Sequence, residues 1–248
     1  MARPIVYVLI AVVIVAAVGS WMLVNPSGAK PYNSQDVTFP ASDDVKISAT
    51  WYTPKTIKPP FKTVILIHEY GGDRHEWDSF VPEFTNRSYA VLAYDIRGFG
   101  QSQSVPRTGE YYDDLIKDVE GAVTYLQGRS DVDPSRIGVV GAQLGGTVAY
   151  ASSAYVKAVK VSIAISPSSD VGTRLIGENV TDFHPSHIMF QYLDTERTNV
   201  QPLIDKSVDP YVRLYRPESP AVRASGIALL NRDLRAFGDL LRYLDQNL

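Results

Sequence analysis

Residues 138–150 read GVVGAQLGGTVAY, and the fold of the chain turns on how this stretch is taken. Gly138-Val139-Val140-Gly141 is small and β-branched and extends as a strand, and the small residues from Gly145 onward suit a helix. Between them lies a strand-to-helix turn with glycine on both sides, the arrangement needed where a central residue presses backbone against backbone. The central residue is Gln143. Such a turn exposes whatever it carries and is the usual setting for a nucleophile. An amide, however, has no proton that a neighbouring base can usefully remove at neutral pH.

Outward from this turn the chain alternates strand and helix patterns. Strands are expected at 36–39, 45–52, 63–68, 90–95, 136–141, 159–165, 187–193 and 211–215. Runs such as TVILIH and SIAIS are apolar without alternation, as in parallel strands covered on both faces. The first two alternate instead, with Val45, Ile47, Ala49 and Trp51 on one side, and predict an antiparallel edge. Trp77, Phe80, Val81 and Phe84 share one helical face; Leu115, Val119, Ala122 and Leu126 share a second; Leu234, Phe237, Leu241 and Leu244 share a third. The expected fold class is α/β: a mostly parallel eight-stranded sheet flanked by helices.

Composition narrows the function. The 248 residues are 45% hydrophobic, enough for one α/β core. Lys and Arg number 24 against 27 Asp and Glu, and the net charge of −3 is scattered, which argues against nucleic acid as a partner. The absence of cysteine removes disulfides, thiolate catalysis and cysteine-based zinc sites. Residues 4–24, PIVYVLIAVVIVAAVGSWMLV, carry no charge and follow Arg3. At about 1.5 Å per residue they span a hydrocarbon core of roughly 30 Å. Residues 1–24 are therefore expected to be an N-terminal transmembrane helix that tethers the domain, with Arg3 in the cytoplasm and the domain on the extracytoplasmic side. The alternative is a signal peptide cleaved near Ala17-Val18-Gly19-Ser20, giving a secreted domain. Residues 25–35 read as a linker, and 36–248 as a single domain. Asn86 and Asn179 begin glycosylation sequons, relevant in a host that glycosylates exported proteins.

Ligands of open parallel sheets bind beyond the carboxyl ends of the strands. There the sequence places His68-Glu69-Tyr70-Gly71-Gly72, Asp95-Ile96-Arg97-Gly98, the Gln143 turn, Ser166-Pro167-Ser168-Ser169-Asp170, Asp194-Thr195-Glu196 and the stretch around Ser225-Gly226. With VILIHEYGGDRHEW, AVLAYDIRGFGQS and DPSRIGVVGAQLGGTVA in this order, the chain resembles the α/β-hydrolase superfamily, particularly small lidless members related to dienelactone hydrolases and serine peptidase-like esterases. The resemblance covers about residues 36–247. It implies an oxyanion loop after the 63–68 strand and a nucleophile elbow at 141–145.

Two departures accompany the resemblance. The family reads Gly-x-Ser-x-Gly where this chain reads Gly-Ala-Gln-Leu-Gly, and Ser225 stands where the family places its catalytic histidine. The histidines are His68, His75, His184 and His187, so none follows the last strand. The resemblance puts the acid at Asp194, with Asp170 as second choice. Gln143, Asp194 and Ser225 are thus the triad positions of an expected inactive relative, a binding or scaffold module. Tyr70, Gly71, Leu144 and Asp170 are expected to contact a small ester, acyl or peptide ligand above Gln143. The competing expectation is an active hydrolase in which His68, His75, Glu69 or Asp194 activates water. A local role for His68, holding the oxyanion loop by hydrogen bonds, stands beside that one. No cofactor is implied, and the spacing of His68, Glu69 and Asp194 matches no compact metal motif.

Overall fold

The computed structural model describes residues 29–176, 187–216 and 225–248. The chain divides into two units, Met1–Pro31 and Tyr32–Leu248. The expected anchor at 1–24, His184 and Asn179 lie outside the described residues. Among the described residues no helix is long and apolar enough to cross a membrane.

In the second unit, eight strands form one sheet: β1 (Tyr32–Pro40), β2 (Lys46–Pro54), β3 (Phe61–Ile67), β4 (Tyr89–Tyr94), β5 (Val132–Ala142), β6 (Val159–Ile165), β7 (His187–Leu193) and β8 (Tyr211–Tyr215). Their order is β1-β2-β4-β3-β5-β6-β7-β8. β1 and β2 pair antiparallel, as does β2 with β4, and the remaining pairs are parallel. This is the mixed, mostly parallel sheet with an antiparallel edge that the hydrophobic patterns predict. β5 begins earlier than expected. Val132 pairs with Phe61, and the register then jumps so that Ile137 pairs with Thr63. Pro134 falls in this irregularity, where the missing N–H costs no ladder bond.

Alternate residues of β3 feed two apolar layers. Val64 and Leu66 pack with Trp77 and Phe84 on one face, while Ile65 and Ile67 pack with Leu115, Val119 and Val148 on the other. All four are fully buried, each contributing roughly 1.5–3 kcal/mol on burial. The helices are α1 (Val81–Asn86), α2 (Leu115–Gln127), α3 (Leu144–Tyr155), α4 (Ser169–Ile176), α5 (Arg197–Asp205), α6 (Ile227–Arg232) and α7 (Leu234–Asn247). The apolar face drawn through Trp77 and Phe84 is not one helix. It is a 3-10 turn, Arg74–Trp77, followed by α1, and the four apolar side chains are nonetheless buried together. Pro82 explains the break, because proline is favoured in a first turn and lacks the N–H that a continuous helix would need there.

Candidate functional site

The turn at 141–145 has the strained form its glycines imply. Gln143 takes φ 48° and ψ −109°, a region that L-residues rarely occupy. Its N–H donates to Ile165 O at 2.8 Å, and its carbonyl accepts from Thr147 N at 2.9 Å. A Cβ on Gly145 would stand 2.3 Å from Ile67 O, and one on Gly141 would stand 2.0 Å from Gly145 O. Both contacts are with backbone, so no side chain can yield to admit one.

The sheet brings Ser225 back to this turn although 82 residues separate the two. Gln143 Nε2 donates to Ser225 Oγ at 3.2 Å. Around them opens a cavity of about 360 Å³, walled by Tyr70, Tyr112, Leu144 and Val171 and by the polar groups of Thr147, Ser166, Ser168, Glu196 and Asn199. Of the four expected binding residues, Tyr70 and Leu144 belong to this lining. Gly71 takes φ +85° in the adjoining turn, and Asp170 is exposed at the start of α4.

His68 lies behind the cavity. It is wholly buried, and Ile96 N donates to its Nε2 at 2.9 Å. Its Nδ1 sits 2.6 Å from Glu69 O. A carbonyl only accepts, so Nδ1 carries the proton and Nε2 is the acceptor. Burial holds the ring's pKa below the ordinary histidine value, which fits a neutral ring committed at both nitrogens. This is the geometry of the local, loop-holding role. His75 is exposed and faces Asp78 at 3.1 Å, and His187 is exposed where β7 begins, at the far end of the strands.

Glu69 points the other way, across the site. Its Oε1 accepts from Ile227 N at 2.6 Å, while its own N–H donates to Glu76 Oε2 at 3.0 Å. Burial raises its pKa above the usual carboxylate range, the Ile227 N–H opposes that rise, and the charge of Glu196 adds to it.

Asp194 and Glu196 share a 3-10 turn after β7 but have different surroundings. Asp194 turns to Arg197 at 3.4 Å and Arg216 at 3.6 Å, with 41% of its side chain exposed. Glu196 folds back: its Oε2 accepts from Leu193 N at 2.8 Å and from Ser166 Oγ at 2.9 Å. Ser166 Oγ in turn accepts from Gly226 N at 2.9 Å. A chain of bonds therefore runs from Glu196 through Ser166 to the backbone beside Ser225. The sequence places Glu196 and Ser166 just beyond their strands but gives neither a role. A Glu three residues after a strand's last position, Leu193, was a usable signal, because that spacing lets a carboxylate return to the backbone N–H it follows. Ser166 gave none, since its role depends on a φ of 49°. Among the described residues, no three His, Asp or Glu side chains gather as a metal site.

The model of the Alpha/beta hydrolase family matches residues 64–245, and the chain belongs to that family. The quorum-quenching protein AidA of Acinetobacter baumannii is 31% identical over 142 residues, 56% of this chain and 46% of that protein. YfhR of Escherichia coli is 29% identical over 122 residues, 48% of this chain and 41% of its own. YtaP of Bacillus subtilis is 26% identical over 219 residues, 77% of this chain and 71% of its own. The chain spans about half the length of the first curated relatives it matches. Among solved structures, an acetyl xylan esterase from Paenibacillus superposes with a TM-score of 0.71 at 18% identity, covering 89% of this chain and 86% of that one. The Pyrococcus furiosus esterase Pf2001 gives 0.66 at 21% identity, covering 86% and 90%. At such identities the likeness is one of fold.

Proposed function

We propose that this protein is a catalytically inactive member of its family, an α/β-hydrolase-fold binding or scaffold module tethered to a membrane by residues 1–24 with its domain on the extracytoplasmic side. The observation that carries the reading is the Gln143–Ser225 contact. The elbow keeps its strained backbone, yet the side chain it presents is an amide, and the group opposite is a hydroxyl in place of a base. Acyl transfer by the family's route needs a nucleophile whose proton a base removes, and neither Gln143 nor Ser225 supplies one. His68 is committed elsewhere. The negative charge of Glu69 beside the expected oxyanion loop would oppose a developing oxyanion. Asp194 faces arginines, and the carboxylates that reach the Ser225 loop are Glu69, directly at Ile227 N, and Glu196, through Ser166. The cavity keeps the size and mixed lining suited to a small ester, acyl or peptide ligand.

One observation favours a second reading: the raised pKa of Glu69 suits a general base acting on water. An ester panel separates the two. The wild-type chain is expected to be silent, and the double variant Gln143→Ser with Ser225→His is expected to hydrolyse esters. Saturable wild-type turnover that Glu69→Gln abolishes overturns the first reading and establishes the second.

A further inference from the structure

We propose that the cavity above Gln143 takes a ligand presenting a primary ammonium group, an inference that rests on the binding-module reading above. Its lining holds one carboxylate, Glu196, and no Lys, Arg or His among the described residues. A second carboxylate, Glu69, stands directly behind. A Cβ on Gly226 would meet Glu69 Oε1 at 1.9 Å and Gln143 Cγ at 2.9 Å, so this carboxylate reaches the same spot as the elbow side chain. The described arginines nearby are already engaged, Arg107 also with the Tyr70 ring at 5.9 Å. Arg107 lies over Phe99 at 3.9 Å and donates to Gly98 O, Arg174 pairs with Asp113 at 3.0 Å, and Arg197 and Arg216 pair with Asp194. Among the described lining residues the formal charge is therefore negative, and a bound carboxylate would face Glu196 with no cation in that lining to offset the repulsion.

The acceptors choose the kind of cation. Both hydrogen bonds to Glu196 fall on Oε2, so Oε1 has no partner among the described residues. Gln143 donates through Nε2 to Ser225, and among the described residues its Oε1 has no hydrogen-bond partner. A protonated primary amine carries three N–H donors to offer these oxygens and the hydroxyls of the wall. A quaternary ammonium has no donor to offer them. Tyr70 and Tyr112, also in the lining, supply rings against which the ligand's apolar part packs. The same chemistry belongs to a free small amine and to the amino terminus of a peptide or amino-acid derivative.

The test is calorimetric titration of the full chain, at low ionic strength, with benzylamine, benzyl alcohol and benzoate, which share one shape and differ in charge. Benzylamine is expected to bind at least tenfold more tightly than the alcohol, and benzoate not at all. Glu196→Gln, whose amide oxygen still accepts from Leu193 N, is expected to lower benzylamine affinity at least tenfold while leaving benzyl alcohol within twofold. Gln143→Glu is expected to raise benzylamine affinity severalfold, and it decides the matter if the first variant does not fold. Equal binding of the three probes, binding of none, or a preference that survives Glu196→Gln and is unmoved by Gln143→Glu overturns the inference. Phenylalaninamide and its N-acetyl form distinguish the sources: tighter binding of the free form than of benzylamine points to an amino terminus, weaker binding to a small amine. Phenylalanine methyl ester in the same buffer keeps the two proposals apart. Its turnover by the wild-type chain sinks the non-hydrolytic reading and leaves the amine preference standing.

Discussion

Two walls of the domain are built by different means. Behind β3 and β4, charged side chains pair with one another in the dry interior. Arg74 bonds Asp95 at 2.5 Å with 2% and 1% of the side chains exposed, and Arg97 bonds Asp118 at 2.8 Å with 2% and 0% exposed. Across the cavity, the Ser225 loop is held by side chains that accept from its backbone: Glu69 from Ile227 and Ser166 from Gly226. The first wall is scaffold, costly to breach because a lost partner strands a charge. The second is a clasp of single hydrogen bonds from neutral backbone donors, each worth less than a buried ion pair is costly to break. The elbow, through the Gln143–Ser225 bond, is the seam of the site.

The largest test of this contrast is Asp95→Ala, which leaves the Arg74 guanidinium buried without its main partner. It is expected to cost about 3–5 kcal/mol and to lower the melting transition followed by circular dichroism more than any other single change named here. Next comes the seam itself. Gly145→Ala drives a methyl into Ile67 O and His68 O, and about 3 kcal/mol of destabilisation is expected in chemical denaturation. On the second wall Ser166→Ala orphans the Gly226 N–H, and an expected loss of about 1–2 kcal/mol should leave the fold intact while loosening amide exchange at 225–227. If Ser166→Ala proved as damaging as Asp95→Ala, the distinction between scaffold and clasp would collapse.

Smaller effects sharpen the comparison. Gln143→Gly removes a side chain from a strained φ, and a gain of about 1 kcal/mol is expected, reduced by whatever the bond to Ser225 contributes. The acid response has two opposed parts. His68 has a folded pKa below its ordinary 6.5, so the unfolded chain takes the proton first; its stabilising contribution is full above pH 6.5 and is lost as the pH falls below that value. Glu69 has a folded pKa above its ordinary 4.5, so the folded chain takes that proton first, and stability is gained as the pH falls toward 4.5. Glu69→Gln is therefore expected to steepen the loss of stability between about pH 6.5 and 5, and His68→Gln to flatten it, in melts across that range.

The difference between the walls also marks what could be read from the sequence. The sheet was legible because β3, β5 and β6 are apolar without interruption while β2 alternates, and those periods belong to the strands themselves. The meeting of Gln143 with Ser225 was legible because chain order within a familiar topology fixes which loops converge. The clasp was not. That Glu196 rather than Asp194 turns inward depends on a 3-10 turn that points successive side chains in different directions. The role of Ser166 depends on a left-handed backbone that its sequence neighbours do not announce. The break ahead of α1 stood in plain view as Pro82, but the shared apolar face spoke more strongly than the proline.

The bond from Glu69 to Ile227 spans 158 residues of chain. On a ribosome adding about 5–20 residues per second, the carboxylate is made roughly 8–30 seconds before the N–H that will engage its lone pairs. The wall that Glu69 and Ile227 close together is therefore complete only after residue 227 has been added to the chain.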